Sequence, residues 1–122
     1  MDSIIKGVGC DIVSNFWIGR LQTNIIFLNK VYTDYEQNYC KGRSADVAAG
    51  IWAAKEAVSK TLGTGFCGFT AKDIEIRHDK SGSPEIILYN GAKVRAELLG
   101  IRNIHISISH EKEHALAFAV AE

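Results

Sequence analysis

The chain has 122 residues, which fits one domain over 1–122 and leaves an oligomer plausible for closing a modest core. Its apolar fraction of 47% and charged fraction of 23% belong to a globular protein and exclude disordered and membrane-embedded classes. Fourteen basic residues balance 14 acidic ones, which argues against broad nucleic-acid binding but leaves room for a local basic patch.

Ile4 to Val13 predicts a first strand, weakened in its middle by Gly7 and Gly9, with Asp11 near its end. Ser14 to Leu28 is ambiguous: Phe16, Ile18, Leu21, Ile25 and Leu28 allow a helix, while Gly19 and the β-branched residues disfavour one. Thr33-Asp-Tyr-Glu36 has the form of a capping box and opens a short helix from Asp34 towards Cys40. Ser44 is placed to cap a long helix over 45–62, with Asp46 in the first turn and Gly63 as its stop. Asp73–Arg77 and Glu85–Tyr89 form a hairpin around the turn Asp79–Pro84. Asn90 caps a helix over 91–99, closed by Gly100. His105–Ser109 and Ala115–Ala121 make a last hairpin around Glu111–His114. This order predicts an α+β domain with an antiparallel sheet, one long helix and several short ones.

On the long helix, Val47, Ile51, Ala54 and Val58 form the apolar stripe. Glu56 and Lys60 lie opposite, flanked by Trp52 and Ser59. The charged pair therefore points to solvent or to a neighbouring subunit. Glu followed by Lys four residues on is also an ordinary helix-stabilising pair. The turn Gly63-Thr64-Gly65 can cap the helix or offer backbone N–H groups to an anion. The helix end has the wrong dipole sign for phosphate, so Lys60 or a metal would have to compensate. Asp11 either caps the next segment or joins Glu56 in a two-carboxylate site of hard oxygen ligands, which suits magnesium.

Three cysteines, Cys10, Cys40 and Cys67, include no CxxC pair, so neither a disulfide framework nor a zinc site is expected. Cys10 and Cys40 read as small buried groups, and His78 and His114 as solvated turn residues. No leader pattern or bilayer-length apolar run is apparent, and a cytoplasmic protein is expected.

Three blocks resemble the holo-acyl-carrier-protein synthases, small 4′-phosphopantetheinyl transferases. Gly7-Val-Gly-Cys-Asp11-Ile-Val is similar to the family's opening block. Trp52-Ala-Ala-Lys-Glu56-Ala-Val-Ser-Lys60-Thr-Leu-Gly-Thr-Gly65 is similar to its central signature, and His105-Ile-Ser-Ile-Ser-His110 to its C-terminal block. The resemblance implies the 4′-phosphopantetheinyl transferase fold and transfer of phosphopantetheine from CoA to a serine of apo acyl carrier protein. It implies magnesium on Asp11 and Glu56, and CoA contacts from Lys60, Gly63, Thr64, Gly65 and His110. It also implies a homotrimer with CoA between subunits. Glu56 or a water on the metal are candidates for the base that the serine needs.

The family's basic residue before Ile18 is Trp17 here, the arginine before Trp52 is Ile51, and the lysine before Pro84 is Ser83. Arg20 or Lys30 are the candidate substitutes. These departures motivate a second reading, a non-catalytic trimer that binds CoA or carrier protein.

Overall fold

In the computed structural model, which describes residues 4–122, five strands and five helices follow one another along the chain. Strand β1 (Gly7–Ser14) leads into α1 (Asn15–Leu21), α2 (Ile25–Val31), α3 (Asp34–Cys40) and the long α4 (Ala45–Thr61). A 3-10 turn, β2 (Ile74–His78), β3 (Pro84–Leu88), α5 (Asn90–Leu98), β4 (Ile104–His110) and β5 (His114–Ala121) complete the fold. The α+β class read from the sequence is the one found. The sheet is divided, however: β1, β5 and β4 form one antiparallel sheet, and β2–β3 stands as a separate hairpin.

The ambiguous stretch after β1 breaks at Thr23-Asn24, and Gly19 stays inside α1. Asn24 caps α2 by accepting from the N–H groups of Ile26 and Phe27, and Ser14 caps α1 by accepting from Trp17 N–H. Thr33 and Glu36 make both bonds of the capping box that opens α3. Two expected caps differ. Ser44 occupies the N-cap of α4, but its hydroxyl bonds the Asp46 carboxylate rather than the helix backbone. Asn90 is the first residue of α5, with φ of 50°, and its amide donates to Asp73.

Helix α4 lies across the three-stranded sheet on a seam of small residues. Ala115, Ala117, Ala119 and Ala121 of β5 are fully buried against it, as are Ala49, Ala53, Ala54 and Ala57 of the helix itself. Strand β1 comes closer still. A Cβ on Gly9 would sit 1.9 Å from the Ala57 carbonyl oxygen, and one on Gly7 would sit 2.3 Å from that of Thr61. The glycines that weaken β1 as a strand are thus what lets it lie on α4. Alternation along β1 turns Gly9, Asp11 and Val13 towards the helix. Val8, Cys10 and Ile12 face outward, so Cys10 is exposed rather than buried.

Candidate active site

The close seating of β1 on α4 brings Asp11 to the last turns of the helix. Lys60 Nζ donates to the Cys10 carbonyl at 2.7 Å and meets Asp11 Oδ1 at 3.3 Å. The spacing of Glu56 and Lys60 suggested a pair within the helix. Instead Lys60 bridges to the strand, and Glu56 has no cationic side chain within bonding distance among the described residues. Both groups face away from the core, with Glu56 half-buried and Lys60 exposed. Ser59, placed on that face from the sequence, is buried, and its hydroxyl donates to the Glu56 carbonyl.

Burial pushes the Glu56 carboxyl above its ordinary range, the negative charge of Asp11 pushes the same way, and Lys60 partly offsets them. Two carboxylates forced together in this way gain from a cation. Among the described residues no group of three or more His, Cys, Asp or Glu side chains is arranged to hold a metal. The two carboxylates of Asp11 and Glu56 alone fit magnesium, a hard ion commonly held by one or two carboxylates, with waters and substrate phosphate as its other ligands.

At the end of α4 the chain turns through Gly63 and Gly65, with φ of 81° and 61°. These left-handed values suit glycine. The aromatic ring of Phe66, in the same loop, stacks on Trp52 at 5.9 Å between centroids, and Trp52 also meets Phe27 edge-on. Trp52 therefore packs within this chain and steadies the loop beside Lys60.

His110 is not brought to this cluster. It ends β4 facing the first turn of α4, where Nδ1 lies 3.1 Å from Asp46 Oδ2. From Asp46 to Glu56 is ten helical residues, about 15 Å of rise. His110 shares a cleft of ≈ 220 Å³ with Asp46, Gly50, His78, Gly82 and Pro84. A single copy thus carries two separated features, the carboxylate–lysine cluster with its glycine turn and the His110 cleft.

A family model, the 4′-phosphopantetheinyl transferase superfamily, matches residues 7–119. The chain belongs to that superfamily. It is 45% identical to the holo-acyl-carrier-protein synthase of Halothermothrix orenii, over 98% of each chain. Its structure superposes on that of the Neisseria meningitidis holo-acyl-carrier-protein synthase with a TM-score of 0.88, at 35% identity over 98% and 99% of the two chains. The Helicobacter pylori synthase in complex with coenzyme A gives a TM-score of 0.83, at 30% identity over 94% and 99%. The chain is thus an enzyme, a phosphopantetheinyl transferase of the holo-acyl-carrier-protein synthase type.

Several features of this transferase escape a reading of its sequence. Lys55, inside the central signature, is fully buried and bonds Glu36 Oε1 at 2.7 Å, with the Ala71 and Ile74 carbonyls as its other partners. Glu36 also accepts from the N–H groups of Thr33 and Ile76. Desolvation pushes the Glu36 carboxyl up and the Lys55 ammonium down, and their mutual contact opposes both shifts. His78 is not a solvated turn residue. It ends β2, stacks flat on Tyr39 at 4.1 Å, and burial lowers its pKa. Cys40 is half-buried, and burial raises its thiol to about 11. Arg95, which no sequence signal marked, reaches from α5 to the end of α4 and donates from Nε to the Leu62 carbonyl at 2.9 Å.

Proposed function

We propose that this chain, acting as one domain over residues 1–122, transfers 4′-phosphopantetheine from CoA to a serine of apo acyl carrier protein. The products are holo carrier protein and adenosine 3′,5′-bisphosphate, and the reaction depends on magnesium held by Asp11 and Glu56. The observation that carries the reading is the meeting of Asp11 and Lys60 at 3.3 Å beside a half-buried Glu56 of raised pKa. A coenzyme A complex of the Helicobacter pylori relative supports CoA as the donor.

Magnesium bound there would neutralise charge gathering on the pyrophosphate and orient it. The protein groups account for the rest. Lys60, held by the Cys10 carbonyl and exposed on its outer side, can donate to the departing phosphate. Glu56, half-buried beside Asp11, remains one candidate for the base that takes the serine proton. Gly63, Thr64 and Gly65 line the nucleotide beyond Lys60.

A homotrimer with CoA between adjacent copies is supported by two features. The outward sheet face exposes Val8, Ile12, Leu116 and Phe118, 41–61% each, an apolar surface suited to a second copy. His110 lies at the opposite end of α4, so a neighbouring copy could present its His110 cleft to this copy's carboxylates. The carrier protein would approach past α1, where Phe16 and Trp17 are exposed beside Arg20. Among the described residues no helix is long and apolar enough to cross a membrane.

Incubation with CoA, magnesium and an apo carrier protein should raise the carrier's mass by one phosphopantetheine. An unchanged mass, while an established synthase works in the same buffer, would remove the transferase reading.

A further inference from the structure

The end of α4 is an unfavourable place for phosphate, because its free carbonyls carry the negative end of the helix dipole. Arg95 alters that. Its Nε takes the Leu62 carbonyl at 2.9 Å, which fixes the guanidinium across the helix end. Its Nη2 lies 3.5 Å from where a Cβ on Gly63 would be, so the missing side chain leaves that edge uncovered. Among the described residues Arg95 has no carboxylate partner.

The adjoining turn supplies further donors. The N–H groups of Thr64, Gly65 and Phe66 have no backbone partner among the described residues. The turn is also held in place from two sides. Phe66 stacks on Trp52, and α5 approaches so closely that a Cβ on Gly91 would sit 2.1 Å from the Gly68 carbonyl oxygen. Lys60 stands one turn earlier on α4. The result is a pinned loop of free N–H groups beside a guanidinium that occupies one of the helix-end carbonyls that would repel an anion.

We infer that Arg95 is a phosphate-binding residue of this transferase, placing its guanidinium on a phosphate group of CoA at the Gly63–Gly65 turn. The inference rests on the transferase reading above. Planar guanidinium matches phosphate geometry with two parallel N–H donors, and both Nη atoms remain available once Nε is anchored on Leu62. A residue serving only to cap α4 would need its single bond to Leu62 and no charge.

Calorimetric titration of the full chain with CoA and with dephospho-CoA, in magnesium, tests this. Arg95→Gln keeps a donor at the position of Nε for the Leu62 carbonyl while removing the charge and both Nη atoms. The expected result is a Kd for CoA weakened by about tenfold to a hundredfold, with the melting temperature close to that of the parent chain. If the loss is confined to CoA, the ligand is the 3′-phosphate. If dephospho-CoA weakens equally, the ligand is the pyrophosphate. An unchanged Kd for both overturns the inference. Should Arg95→Gln not fold, Arg95→Lys replaces it, with a several-fold weakening expected and an unchanged Kd again overturning the idea. A parent chain that binds no CoA would instead sink the transferase reading itself, whatever the variants do.

Discussion

Two lysines on α4, five residues apart, have opposite surroundings. Lys55 is sealed in the interior and uses its three donors on Glu36 and two carbonyls. Lys60 stands at the surface, held by one carbonyl and Asp11, and keeps a face open to solvent. The first is saturated and can only hold structure, tying α4 to α3 and to the start of β2. The second retains donor capacity and charge beside two carboxylates, as a group that meets substrate must. The residue type is the same, and the difference lies in how many of its donors the fold consumes.

The largest effect should come from breaking the interior pair. Lys55→Met leaves Glu36 buried without its cation and should cost about 3–5 kcal/mol of stability, read as a drop in the denaturation midpoint. Little folded protein would remain to assay. If the midpoint hardly moves, the two lysines are not as different as their contacts suggest. Glu56→Gln should do the reverse. Loss of one carboxylate at the proposed metal site should lower turnover by roughly 10³-fold while the chain stays folded, and a variant that stays active would dissociate the cluster from the chemistry.

Smaller effects sharpen the contrast. Gly9→Ala would press a methyl on the Ala57 carbonyl, force β1 off α4 and separate Asp11 from Lys60. A cost of about 1–3 kcal/mol is expected, with magnesium affinity falling as well.

The gentlest probe is pH. Glu56 must be ionised to hold a cation, and its pKa is raised, so magnesium affinity should already fall as pH drops through a range where an ordinary carboxylate is still charged. Stability moves the other way. A carboxyl whose folded pKa is raised contributes most below its unfolded pKa and loses that contribution as pH rises through the folded value. Glu56→Gln should remove both trends, followed by calorimetric magnesium titration and thermal melts across pH.

Much of this was legible in the sequence where the determinants are local. The box Thr33–Glu36, the glycine stop at Gly63 and the alternation of β4 are short-range features, and the elements they predict are present. The break between α1 and α2 was not legible, because Phe16, Ile18, Leu21, Ile25 and Leu28 allow one helix and the cap that divides it rests on a single side chain, Asn24. A site joining Asp11 and Glu56 was one of two readings the residues allowed, and only the resemblance favoured it. Residue types alone would have paired Lys60 with Glu56 rather than with a strand 49 residues away. Glu36 and Lys55 stayed hidden because the capping box already accounts for the glutamate, and no local pattern announces a partner 19 residues on. Arg95 was hidden for a similar reason, since its contact spans 33 residues and looks on α5 like any surface arginine.

The stack of Trp52 on Phe66 gives the protein a built-in optical reporter. The chain has two tryptophans: Trp17, 62% exposed on α1, and Trp52, half-buried against the loop that follows α4. Their emission should differ in wavelength, the shielded indole emitting further to the blue. A Trp17→Phe chain would leave one emitter in contact with the turn proposed to meet the nucleotide, and a Trp52→Phe chain one on the helix proposed to meet the carrier. Occupancy of the two surfaces could then be followed separately, in real time and without a label.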